Sequence, residues 1–227
     1  MKTLAIDTSL AAGSVAALAA GAVAEAPLPA GDHARLLVPA LVEVAGRLGW
    51  APRDAELVAV VRGPGSFTGL RVGVTTAKAL AWAGGARLVG VSAFDVIARR
   101  TARALPSHDG PVAIAFDAGR GEVFAATAAP DPRAPTGWRV APGSLAPAAA
   151  WLDGLAAGTC VAGPALAAPG VTIPAGLVAA PREAWFPHVA EVGAVGRLLA
   201  AADCLDDPAA LVPDYLRPSY ADEKRRP

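Results

Sequence analysis

Gly63-Pro-Gly-Ser-Phe-Thr-Gly-Leu-Arg71 lies between two apolar runs, 57–61 and 72–82. The first run, LVAVV, is β-branched and reads as a buried strand. The second reads as a helix that stops at Gly84-Gly85. The nine residues are therefore a strand–loop–helix junction. Backbone N–H groups at a helix start favour an anion, and glycines let it come close. Gly63, Gly65, Ser66, Thr68, Gly69 and Arg71 are thus candidate phosphate contacts. The stretch lacks the G-K-[ST] ending of a P-loop, so no lysine reaches a β/γ-phosphate. It is not a G-x-S-x-G nucleophile elbow either. Spacing alone leaves a second reading open, a tight turn whose glycines serve close packing and positive φ.

Upstream, residues 4–7, 14–20 and 23–26 read as three strands joined by short turns at Gly13 and Gly21. The first ends in Asp7-Thr8-Ser9. A carboxylate there can hold magnesium through water, and the two hydroxyls can meet a phosphate. Asp7 is equally suited to capping a turn. Residues 33–48 have helical periodicity, with Pro39 kinking the helix or lying near its start. On a helical wheel the apolar arc runs from Ala40 through Leu37, Leu41, Ala45 and Val38 to Val42, roughly 200° where a little over about 100° suffices for a surface helix. The surplus marks Leu37, Val38, Leu41, Val42 and Ala45 as a candidate partner face.

Downstream, 88–91 reads as a strand. Ser92 to Asp95 fits a capping box opening a helix to about residue 104. Three strands, then helix, strand, helix, strand, helix, is the order of the ribonuclease-H-like half of actin-like proteins. Residues 106–110 make a lobe boundary. The expected organisation is an N-terminal lobe, 1–105, and a smaller C-terminal lobe, 106–227, with the helix near 188–202 packing back on the first. In the second half, 112–116 and 122–126 form a hairpin around Asp117, which mirrors Asp7 as a carboxylate at a strand end. Two such acids, one per lobe, are expected to face one cleft with the 63–69 loop. Asp117 also fits an ordinary turn, with Arg120 and Glu122 pairing in solvent. Residues 130–135 read as a loop, 146–155 as a weak helix, 159–162 as a strand and 206–227 as an extended polar tail.

The 227 residues suit one large domain or two small lobes. The formal net charge of +0 gives no basic surplus to attract nucleic acid unaided. Cys160 and Cys204 form no CxxC and no disulfide framework. His33, His108 and His188 do not lie at metal spacing, so no metal site is expected. The five tryptophans are scattered and read as packing residues. Residues 8–24 carry no charge and look like a signal peptide at first sight; Asp7, Gly13 and Gly21 argue against it. No other segment is long and apolar enough to span a membrane.

MKTLAIDTS, HARLLVPAL, GPGSFTGLRVGVTTAKALA, VGVSAFD, DAGRGEVF and PDYLRP together resemble the TsaB family, also called YeaZ. The similarity is dense to about Phe124 and thin over 125–212. The resemblance implies an α/β actin-like (ASKHA) fold with two lobes of mixed sheets flanked by helices. It also implies a bacterial, cytoplasmic, non-catalytic subunit. The subunit would pair with TsaD, a transferase of the same fold, and with the ATPase TsaE. Together they place threonylcarbamoyl on N6 of the adenosine next to the anticodon, in tRNAs reading codons that start with A. The tRNA would be met indirectly, through the complex. Phe124 stands where the family commonly has tyrosine. The catalytic paralogue carries an H-x-x-x-H metal pair after its glycine loop; the corresponding positions here are Ala93 and Ile97. The expectation is a pseudoenzyme scaffold that requires no cofactor. Weak ATP or ADP with magnesium, and a homodimer through the same helix face, stay open. The competing reading is an autonomous ATPase or kinase using Asp7 and Asp117. A third, a peptidase with Ser66 as nucleophile, rests only on an earlier classification of the paralogues.

Overall fold

The computed structural model describes residues 1–217, so residues 218–227 of the expected extended tail lie outside the described residues. Strands β1 (Thr3–Asp7), β2 (Gly13–Ala19) and β3 (Ala22–Leu28) form an antiparallel meander. Helix α1 (His33–Arg47) follows, then β4 (Leu57–Gly63), α2 (Phe67–Gly84), β5 (Arg87–Ser92) and α3 (Ala93–Ala104). β1, β4 and β5 run parallel, giving the sheet order β3-β2-β1-β4-β5. All five residues of β1 are buried, which requires cover on both faces. Leu4, Ile6, Val58 and Val60 face Leu37, Leu41 and Val44 of α1 and Val74 and Ala77 of α2. Ala5, Leu57, Ala59 and Val61 face the opposite core, with Ile97 of α3 and Val192 and Val195 of a late helix.

That late helix, α5 (Val189–Ala201), packs against β1, β2, β4 and β5. It approaches closely because Gly193 and Gly196 face Ala5, Leu18 and Ala59; a Cβ on Gly196 would lie 2.5 Å from the Cβ of Ala59. Between α3 and α5 the chain forms a second sheet. Its strands are β6 (Val112–Gly119), β7 (Glu122–Pro130), β8 (Trp138–Val140), β9 (Ser144–Pro147), β10 (Cys160–Ala162) and β11 (Val178–Ala179). The order is β11-β10-β6-β7-β8, with β9 also paired to β7. The short helix α4 (Ala148–Asp153) precedes β10. This is the two-sheet α/β architecture expected of an actin-like fold.

Several local expectations are corrected. α2 starts at Phe67, five residues before the apolar run, because Ser66 caps it; the Ser66 hydroxyl accepts from the Gly69 amide at 3.3 Å. Asp95 closes no capping box. Its carboxylate accepts the Thr136 hydroxyl instead, at 2.8 Å, while Ser92 alone caps α3 through the Phe94 amide. Residues 144–147, expected in part to be helical, are a strand held to β7. Pro39 lies inside α1, where it deprives the Arg35 carbonyl of its intrahelical partner.

Candidate functional site

Asp7 ends β1 and is buried, with 5% of its surface exposed. Its Oδ1 accepts from the Ser9 amide at 2.9 Å and from the Ser9 hydroxyl at 2.6 Å. Burial pushes the Asp7 carboxyl up from its ordinary value, against those two hydrogen bonds and the nearby His33 charge. Thr8 donates to the Gly69 carbonyl at 2.7 Å, and the Ser66 amide donates to the Ser9 carbonyl at 2.7 Å. The first turn of α2 is thereby bonded to the end of β1. The glycines make this approach possible. A Cβ on Gly65 would lie 2.3 Å from the Ser9 carbonyl oxygen, and one on Gly69 would lie 2.0 Å from that of Thr8. Of the two readings left open by spacing, the inner face of the loop follows the packing one. It is filled by the chain's own backbone, Thr8 and Ser9 being 0% and 1% exposed. Asp7 Oδ1 and the Thr8 hydroxyl are thus engaged by the chain's own groups.

The remaining loop residues point elsewhere. Thr68 and Arg71 are exposed on α2. The Arg71 guanidinium lies 4.4 Å from the Phe67 ring centre, and its Nε donates to the Tyr215 hydroxyl at 3.2 Å. Gly63 lines a cavity of about 570 Å³ between the end of β4, the start of α3, the β8–β9 loop and residues 213–216. Asp7, Ser66, Arg71 and Asp117 are not among its lining residues. Asp117 is exposed, and its Oδ1 accepts from Gly119 in a local turn. Asp7 is thus buried at the end of β1 and Asp117 exposed on the β6–β7 hairpin, and neither carboxylate lines this cavity. Nor does Glu122 pair with Arg120. It pairs with Arg217 at 2.6 Å, and Arg217 also donates to the Ala118 carbonyl.

The residues that organise this cavity are Arg62, Asp95 and Asp214. Arg62 Nε lies 3.0 Å from Asp214 Oδ2. Burial pushes both Asp95 and Asp214 up, opposed by the Arg62 charge. Sequence reasoning missed Arg62 because it is one charge at the end of an apolar strand. It passed over Asp214 and Tyr215 although both stand in the PDYLRP stretch.

On α1 the candidate partner face divides. Leu37, Leu41 and Ala45 are 1%, 0% and 0% exposed and belong to the chain's own core. They drop out of the candidate face. Val38 and Val42 are 52% and 54% exposed, one helical turn apart. Ala93 and Ile97 are fully buried core residues. Among the described residues no group of three or more His, Cys, Asp or Glu side chains is placed to hold a metal ion, and no helix is long and apolar enough to cross a membrane.

Comparison with known proteins fits this arrangement. A family model for TsaD, tRNA N6-adenosine threonylcarbamoyltransferase, matches residues 27–133. The tRNA threonylcarbamoyladenosine biosynthesis protein TsaB of Bacillus subtilis is 36% identical over 93 residues, which is 41% of this chain and 39% of that protein. TsaB of Escherichia coli is 35% identical over 125 residues, 55% of this chain and 53% of that one. The chain thus matches about two-fifths to half of the length of these curated relatives. The fold agreement reaches further. A Pseudomonas aeruginosa structure described as similar to the peptidase YeaZ superposes with a TM-score of 0.77 at 26% identity, covering 95% of this chain and 99% of that one. With 36% and 35% identity to curated TsaB proteins and the YeaZ fold covering nearly the whole chain, the chain belongs to the TsaB/YeaZ family.

Proposed function

We propose that this chain is a non-catalytic subunit for threonylcarbamoylation of tRNA, on N6 of the adenosine next to the anticodon in tRNAs reading A-starting codons. It pairs with a TsaD-like paralogue, is joined by a TsaE-like ATPase, and works in the cytoplasm. The tRNA is met through the complex. The observation that carries the reading is the pair Val38 and Val42, apolar and exposed on the helix that precedes the glycine junction. Two copies of one fold present similar helix ridges, so homologous faces pack isologously. The same face closes a homodimer when the paralogue is absent. Supporting it, the positions matching the paralogue's histidine pair are buried Ala93 and Ile97, and Asp7 is bonded within the chain. The same commitments weigh against an autonomous ATPase or kinase using Asp7 and Asp117. The Ser66 hydroxyl caps α2, which gives the peptidase reading no activated nucleophile.

The test is binding of the purified chain to the paralogue by sedimentation or calorimetry. Val38→Glu and Val42→Glu should fold as the parent does and bind it at least about thirtyfold more weakly, since a charge buried unpaired at an interface centre costs about 2 kcal/mol or more. Unchanged binding in both folded variants places the interface elsewhere.

A further inference from the structure

β5 is a terminal strand of the first sheet, and its residues 88–91 are apolar. An edge strand presents unpaired N–H and C=O groups, a template for a strand from another chain. Here one residue answers them. The Asp206 amide donates to the Leu88 carbonyl at 2.8 Å, and Asp206 Oδ2 accepts from the Gly90 amide at 2.7 Å. In a parallel ladder a residue bonds its neighbour at two such positions, through its own N–H and C=O. Asp206 makes the second bond with its carboxylate in place of its carbonyl. The pairing is therefore one residue long, and residues 204–207 add no strand to the sheet. Gly90 is where the segment crosses: a Cβ there would lie 2.8 Å from Arg62 Cδ and 2.9 Å from Leu211 Cδ1.

The residues that follow hold Asp206 in place. The Asp207 carbonyl accepts from the Ala210 and Leu211 amides in a turn. Leu211 is 4% exposed and belongs to the core that holds Val74 and Ala77 of α2. Lys78 of α2 donates to the Ala209 and Leu211 carbonyls at 3.3 and 3.0 Å. The Asp214 amide donates to the Arg62 carbonyl of β4 at 2.8 Å. The opposite terminal strand, β3, is interrupted by other means. Pro27 within it has no N–H, and Arg47 of α1 donates to the Glu25 carbonyl at 3.0 Å.

We propose that residues 206–214 guard the edge of β5: Asp206 closes that strand against a second copy of this chain, and a chain whose guard is released pairs with another copy through β5. The guard confines association to other faces of the molecule. The inference is independent of the pairing role proposed above, because it concerns a sheet edge and not the face of α1.

The test uses the full-length chain carrying Val38→Glu/Val42→Glu throughout, so that the α1 face adds nothing to association. Sedimentation over a range of concentrations gives the self-association constant, and hydrogen exchange follows the Gly90 amide. Asp206→Ala should speed exchange of that amide in dilute solution and tighten self-association by about tenfold or more. At high concentration the amide should become protected again, because a second copy now bonds it. Asp206→Asn keeps an acceptor for Gly90 and should behave as the Asp206 chain does. Lys78→Ala, which removes two bonds to the segment, should act in the direction of Asp206→Ala more weakly, and it serves should that variant fail to fold. Three results each overturn the proposal: a Gly90 amide as protected in dilute Asp206→Ala as in the Asp206 chain, a freed amide with unchanged self-association, or association that leaves the amide exchanging fast.

Discussion

At the scale of single residues, the glycine junction shows how one composition serves two ends. Gly65 and Gly69 let α2 rest on the end of β1, so their loss is a packing defect. Gly69→Ala sets a Cβ against the Thr8 backbone and should destabilise the chain by about 1–3 kcal/mol, seen in denaturant melts. Gly46→Ala is the contrast. Its Cβ meets nothing within 4 Å and it lies in α1, so the change should stabilise by about 0.5–1 kcal/mol. Asp7 allows a pH test. Folding raises its pKa above the ordinary value of 3.8, so the folded state binds that proton more tightly than the unfolded chain. The stability this contributes is present below pH 3.8 and is lost as pH rises through the folded value. Asp7→Asn keeps the acceptor for Ser9 and removes the charge. Its melting temperature should exceed the parent's at pH 7, and the difference should shrink as pH falls toward 4. Asp7→Ala removes the acceptor and should cost about 1–3 kcal/mol at either pH. None of this was visible in the sequence. The residue types at 7–9 and 63–71 were legible, but whether their polar atoms face a ligand or each other depends on how closely two elements approach.

At the scale of elements, the alternation in β1 and β4 and the period of α1 were legible because burial imposes them directly. What failed were features set by partners distant in sequence. Asp95 pairs with Thr136, and β9 owes its strand conformation to β7. Glu191 of α5 is a further case. It is 3% exposed at its side chain and lies between Arg99 at 2.7 Å and Arg103, both on α3. Arg99 also donates to the Thr136 carbonyl, so one cluster ties α5, α3 and the loop between β7 and β8 together. Glu191→Ala leaves Arg99 without its counter-charge in a mostly buried place and should cost about 3 kcal/mol. Arg103→Ala should cost under about 1 kcal/mol, because that side chain is 62% exposed and screened. Double-mutant cycles on thermal or denaturant unfolding measure both.

At the scale of the molecule, the order of strands and helices to Ala104 was enough to place the chain among actin-like folds. The second half was less legible because β8, β10 and β11 have only two or three residues each and little periodicity of their own. The path of the tail was illegible for a related reason. Its polar, proline-bearing composition fits an extended segment, yet Leu211 and the charges at 206, 214 and 217 fasten it to the core, β5, β4 and the β6–β7 hairpin. On the function proposed above, this chain supports the transfer without performing it and docks through the exposed pair Val38 and Val42. The most direct test is threonylcarbamoyl transfer to tRNA, reconstituted from the TsaD-like paralogue, the TsaE-like ATPase and this chain. Product should form with the full set, fall at least tenfold when this chain is omitted or replaced by Val38→Glu/Val42→Glu, and not form with this chain alone. Equal product without the chain, or transfer by the chain alone, would contradict the account.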